Sequence, residues 1–178
     1  MMKCATAAEM RAMDACAIHE HGIPEIELMR RAAAALQHSL FAAYGKRRRY
    51  GIFCGCGNNG GDGYALAEMM ADEGVPVMIC ARGGTLSRSA AYYAKRAADK
   101  GVRIVAQSAA EEVIAHSDVL VDALFGTGVS RELGEEDAAL CDLLTNSGRH
   151  VAAVDMPRGM HADGERVSAH IVKAERTV

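Results

Sequence analysis

Asn58-Asn59-Gly60-Gly61-Asp62 gathers two amides, two glycines and a carboxylate into five residues. The segment lies between a short apolar run, Tyr50 to Cys54, and an apolar stretch at helical spacing that starts at Tyr64. A strand, a tight glycine turn and a helix form the arrangement that aims free backbone N–H groups at an anion. Gly55, Gly57 and Gly60 also satisfy G-x-G-x-x-G, a dinucleotide signal that gains weight from this strand-to-helix setting. Asn58 and Asn59 add side-chain donors and acceptors inside the turn, where asparagine tolerates left-handed backbone. Asp62 opens the helix and has two compatible readings. It caps the helix N-terminus, or it positions a polar group of a substrate.

Two more aspartates stand out because they sit in apolar runs. Asp122 interrupts Asp118 to Phe125, and Asp155 ends Val151 to Asp155. A carboxylate there is costly to bury unless it is paired, bound to a cation or used in chemistry. Asp122, with an asparagine side chain and backbone carbonyls, offers hard oxygen ligands to a cation. Asp155 has the chemistry of a general acid or base. Capping and turn roles remain open for both. Gly126-Thr127-Gly128 follows Asp122 as a second glycine turn, close to Ser130 and Arg131. The histidines are scattered, with only His161 near these segments. A dehydrogenase would want an acidic residue at the end of the second strand, about 20 residues after the glycines. Arg82 occupies that region, where it would suit a 2′-phosphate, and is read instead as a solvated loop residue.

Positioning these groups requires a sheet. Apolar runs at Tyr50–Cys54, Val75–Cys80, Val102–Val105, Asp118–Phe125 and Val151–Asp155 alternate with helical patterns ending near Gly74, Lys100, His116 and Thr145. Strands joined by helices pair in parallel through right-handed crossovers. The expectation is a doubly wound α/β sheet of Rossmann-like type, ordered 3-2-1-4-5, with helices on both faces. Ligands of such sheets bind beyond the carboxyl ends of the strands at the switch point. The segments after strands one, four and five should therefore line one cleft. Two helices precede the sheet: one starts at the Thr6/Glu9 capping box, the other at Pro24 and ends at Gly45. They are expected to pack on the sheet or to make a homodimer contact. Lys46-Arg47-Arg48-Arg49 is read as a solvated connector.

Composition narrows the class. A chain of 178 residues that is 50% hydrophobic and 24% charged is expected to fold as a single domain, residues 1–178, with helices in 1–45 and the core in 46–178. A net charge of -3 gives no reason to expect nucleic acid or a membrane surface as partner. No apolar run approaches the ~20 residues of a membrane span. The first residues lack a secretory pattern, so a cytoplasmic address is expected. Six cysteines without CxxC spacing are read as reduced thiols.

Gly57-Asn58-Asn59-Gly60-Gly61-Asp62-Gly63, Asp122-Ala123-Leu124-Phe125-Gly126-Thr127-Gly128 and Val154-Asp155-Met156-Pro157-x-Gly159-Met160-x-Ala162-Asp163 resemble the motifs of the YjeF N-terminal domain family. The helical extension with Glu27-Leu28-Met29-x-Arg31-Ala32 is similar as well. The resemblance implies epimerisation of hydrated NADH and NADPH (NADHX and NADPHX), so that a dehydratase, fused C-terminally or separate, can restore the cofactor. It implies substrate contacts from Asn58, Asn59, Gly60, Gly61 and Asp62. A second group of contacts comprises Gly126, Thr127, Gly128, Val129, Ser130, Arg131 and Glu132. Asp155 is implied as a substrate contact and the acid/base residue. The family's potassium ion maps to Asn59, Asp122 and the position of Arg158, where the family carries serine. Either the Arg158 carbonyl still faces the ion, or its guanidinium replaces the ion. No redox cofactor is implied beyond the nucleotide substrate. The family also runs on into a further strand where this chain stops at Val178, so the core is expected to be short there. The alternative is a catalytically degenerate nucleotide-binding or interaction module of the same fold.

Overall fold

The computed structural model describes residues 6–126, 133–157 and 169–178. Its sheet has six strands: β1 (Tyr50–Cys54), β2 (Val77–Ala81), β3 (Arg103–Ala106), β4 (Val119–Ala123), β5 (His150–Ala153) and β6 (Arg176–Thr177). They run in the order β3-β2-β1-β4-β5-β6, and every pairing is parallel. The expected order holds, and β6 extends it beyond β5. β1 and β4 are buried at all five positions because both faces of a doubly wound sheet are covered. That double covering is why neither strand shows polar alternation, with Asp122 the one charged residue in the two.

The described residues form six α-helices: α1 (Ala7–His19), α2 (Glu25–Tyr44), α3 (Asn58–Asp72), α4 (Arg88–Asp99), α5 (Ala110–His116) and α6 (Glu135–Thr145). Alternate strand residues face two separate cores. Ile52, Cys54, Val121 and Ala123 join Met29, Leu40, Leu66 and Tyr93 of α2, α3 and α4 on one face. Phe53, Leu120 and Val151 join Val113, Ile114, Leu140 and Leu144 of α5 and α6 on the other. Between α3 and α4 the buried Glu68 carboxylate accepts from Arg96 Nε at 2.6 Å, which offsets the cost of taking that charge out of water.

Thr6 and Glu9 form the expected capping box on α1, with Thr6 N donating to Glu9 Oε2 at 2.7 Å. Met10 and Met13 of α1, however, are 42% and 51% exposed, so neither side chain is buried against the sheet. The basic connector is tied down by pairs from Lys46 to Glu73 and from Arg49 to Asp118. Cys54, Cys80 and Cys141 are buried, and the five described cysteines form no disulfide. Burial pushes the Cys54 thiol well up and that of Cys80 to about 11, which leaves both protonated and unreactive.

Candidate active site

The site is built where β1 and β4 end side by side, with Gly55 N donating to the Ala123 carbonyl at 3.0 Å. A Cβ on Gly55 would fall inside the Leu124 carbonyl, and one on Gly60 inside the carbonyl of Gly55. Both glycines are therefore demanded by close backbone approach. Gly57 has open space around its Cβ position.

The helix begins earlier than the sequence suggests. α3 starts at Asn58, with Gly57 at the N-cap and no side-chain cap bond. Asn58 and Asn59 form its first turn instead of a loop, and Asp62 lies in the second turn, so the N-cap reading of Asp62 is overturned. Glycine is a poor helix former, which hid this turn in the sequence. Here tertiary packing overrides propensity. The first N–H groups of α3 open at the carboxyl end of the sheet without a capping side chain.

Three distant segments meet at Gly126. A Cβ there would stand 2.6 Å from Asp155 Oδ2 and 3.6 Å from Cβ and Cγ of Asn59. The segments that follow β1, β4 and β5 thus meet at one place. Asp155 has φ 65, the one positive φ of a non-glycine residue among the described residues. Its amide donates to the Val178 carbonyl at 2.9 Å, and Val154 N donates to the Asp122 carbonyl at 2.8 Å. Asp122 is completely buried, and its Oδ1 accepts from Leu124 N at 3.2 Å, bending the chain out of β4.

Asp62 is half-buried, and its carboxyl is pushed up to about 7, first by burial and then by the charges of Asp155 and Asp14. Asp14 lies on α1, which sequence reasoning did not connect to the site. Among the described residues, Asn59 Nδ2 is buried without a hydrogen-bond partner. Rotating that amide turns an oxygen toward the same space, since the O and N positions are an assignment. Asn59 and the buried Asp122 are thus the residues whose donors fit a hard cation.

Arg82 is not a solvated loop residue. Its side chain is 28% exposed, and Nη2 donates to Asp137 Oδ2 at 3.1 Å. Thr127, Gly128, Val129, Ser130, Arg131, Glu132 and Arg158 lie outside the described residues, as does His161. No helix among the described residues is long and apolar enough to cross a membrane.

A parallel doubly wound sheet, with Asn59, Gly126 and Asp155 brought together at its switch point, defines a Rossmann-like α/β domain. The crystal structure of yeast ynu0 (YNL200c) superposes on it with a TM-score of 0.85, covering 98% of this chain and 79% of that one. At 17% identity that likeness shows the fold. The model of the YjeF-related protein N-terminus matches residues 25–178, and the chain belongs to that family. An NAD(P)H-hydrate epimerase of Oenococcus oeni is 37% identical over 90% of this chain and 77% of its own length. A protein of the same name from Limosilactobacillus fermentum is 33% identical, with 97% and 83% covered. The bifunctional NAD(P)H-hydrate repair enzyme Nnr of Thermofilum pendens is 34% identical across 99% of this chain, which spans 35% of that longer protein.

Proposed function

We propose that this chain is an NAD(P)H-hydrate epimerase, interconverting the R and S forms of NADHX and NADPHX in the cytoplasm. The observation that carries the reading is the meeting of Asn59, Gly126 and Asp155, three family motif positions, at one point of the cleft. Relatives named bifunctional NAD(P)H-hydrate repair enzymes support a second repair activity, a dehydratase, acting beside this one.

The chemistry follows from the substrate. The hydrated ring carbon carries both a hydroxyl and the ring nitrogen. Protonated hydroxyl leaves as water while the nitrogen lone pair closes an iminium bond. Water then adds to the opposite face and gives up a proton, which inverts the centre. Asp155 carries that proton at the cleft. The open N–H groups of α3 receive the phosphates, and Asp62 holds a polar group of the nicotinamide end.

Asn59 and Asp122 would hold potassium, with the Arg158 carbonyl as a third donor. A potassium ion bound there would offset the negative charge of Asp62, Asp122 and Asp155. If the Arg158 guanidinium stands in for the ion, turnover does not depend on potassium.

The test starts from one purified epimer of NADHX and follows the other by chromatography, with and without potassium. Conversion at least tenfold above the spontaneous rate is expected. Conversion at background, with ADP-ribose still raising the melting temperature, would leave a nucleotide-binding module in its place.

A further inference from the structure

Arg82 stands just past the end of β2, where its amide donates to the Cys54 carbonyl at 2.9 Å. Its side chain reaches across the carboxyl end of the sheet to two residues far away in sequence. Nη2 donates to Asp137 Oδ2 at 3.1 Å, and the guanidinium carbon lies 4.9 Å from the centre of the Phe125 ring. Phe125 immediately precedes Gly126, and Asp137 lies in the first turn of α6. A single planar cation therefore touches both described shoulders of the connection between β4 and α6.

Gly126 lies against the Asp155 carboxylate, since a Cβ built there would stand 2.6 Å from Asp155 Oδ2, so a shift of Phe125 changes what Gly126 presents to Asp155 and Asn59. Arginine suits this place because its flat face covers a ring while its edge donates to a carboxylate. Lysine offers a point charge and cannot do both with one geometry. The same engagement uses the group that, at the end of a second strand, would otherwise meet a ribose phosphate.

We infer that Arg82 is a positioning residue of this site: by bridging Phe125 and Asp137 it fixes Gly126 against Asp155 and Asn59. The inference rests on the epimerase reading for its kinetic consequence, while the bridge itself is a property of the fold.

Two measurements on the full chain test it. The first is kcat and KM for conversion of one NADHX epimer by the wild type, Arg82→Gln, Arg82→Lys, Asp137→Asn and the Arg82→Gln/Asp137→Asn double variant. The second is hydrogen exchange of the peptide covering Phe125 and Gly126. Arg82→Gln is expected to lower kcat at least tenfold, with KM within about threefold, and to speed that exchange at least tenfold. Arg82→Lys should recover part of kcat, and the double variant should be no worse than the poorer single variant. An Arg82→Gln protein with kcat within twofold of wild type, or with unchanged exchange at Gly126, overturns the inference. Should Arg82→Gln fail to fold, Asp137→Asn, which breaks the same pair from the other side, carries the same comparison. A wild type that converts no epimer removes the epimerase reading, and the exchange of the Phe125 peptide still decides whether Arg82 holds this shoulder.

Discussion

Asp155 and Asp62 face the same cleft with different burdens. Asp155 sits at φ 65, where asparagine is tolerated and alanine is strained. Asp155→Asn should therefore keep the backbone while removing the proton carrier. Its kcat is expected to fall about 10²–10⁴-fold with little change in melting temperature, whereas Asp155→Ala should also lose about 1 kcal/mol of stability. Unfolding curves beside epimer conversion check both. Asp62 makes a prediction in pH. Its folded value of about 7 lies above the ordinary carboxylate range, so the folded chain holds the proton more tightly than the unfolded chain. The resulting stabilisation is complete below about pH 4 and is lost as pH rises through about 7. Asp62→Asn keeps the neutral form at every pH. Relative to wild type it should gain about 1–2 kcal/mol at pH 8 over its effect at pH 5, an amount reduced for partial exposure to solvent. Parallel melting curves of the two proteins at pH 5 and pH 8 would refute this.

At the scale of elements, the glycine turn shows how much the sequence carries. The three glycines of G-x-G-x-x-G look equivalent in sequence and are not equivalent in space. Gly60→Ala presses a methyl group into the Gly55 carbonyl, backbone against backbone, and should cost about 2–3 kcal/mol or more. Gly57→Ser enters open space at an uncapped helix N-terminus and should stay within about 0.5 kcal/mol of wild type. Urea unfolding of the two variants separates them. The strands were legible because both faces of the sheet are covered, so Tyr50–Cys54 and, apart from Asp122, Val119–Ala123 carry small or apolar residues at successive positions. The start of α3 was not, because Gly60 and Gly61 have low helix propensity and are held by packing that no local window contains. The same limit hid Arg82: its partners are Phe125 and Asp137, and only the sheet topology brings them to it. The link from Asp14 to Asp62 was hidden in the same way. Asn59, Asp122 and Asp155 were legible as oddities of type in apolar or glycine-rich surroundings, and the switch-point rule placed them together.

For the whole molecule, the position of Asp155 depends on the far edge of the sheet. Residues 169–178 return along the second core, where Val172 is 1% exposed and His170 Nδ1 lies 2.8 Å from Asp142 Oδ2. They then form β6 beside β5. Val178 N donates to Ala153 at 3.0 Å, and the Val178 carbonyl accepts the amide of Asp155 at 2.9 Å. The left-handed turn at Asp155 is thus held from one side by β4, through Val154 N on the Asp122 carbonyl, and from the other by the last strand. Removing Arg176–Val178 from this chain leaves Val172 and the pairing of β1 through β5 in place, so the protein should still fold. The loss of a few backbone hydrogen bonds should lower stability by about 2–3 kcal/mol. Activity should suffer more than stability, because a backbone at positive φ relaxes toward ordinary conformations once one of its two anchors is gone. A kcat reduced at least tenfold at a temperature well below the melting point is the expected outcome. A truncated chain that melts earlier but turns over one NADHX epimer at the wild-type rate would show that β4 alone is enough to set the carboxylate.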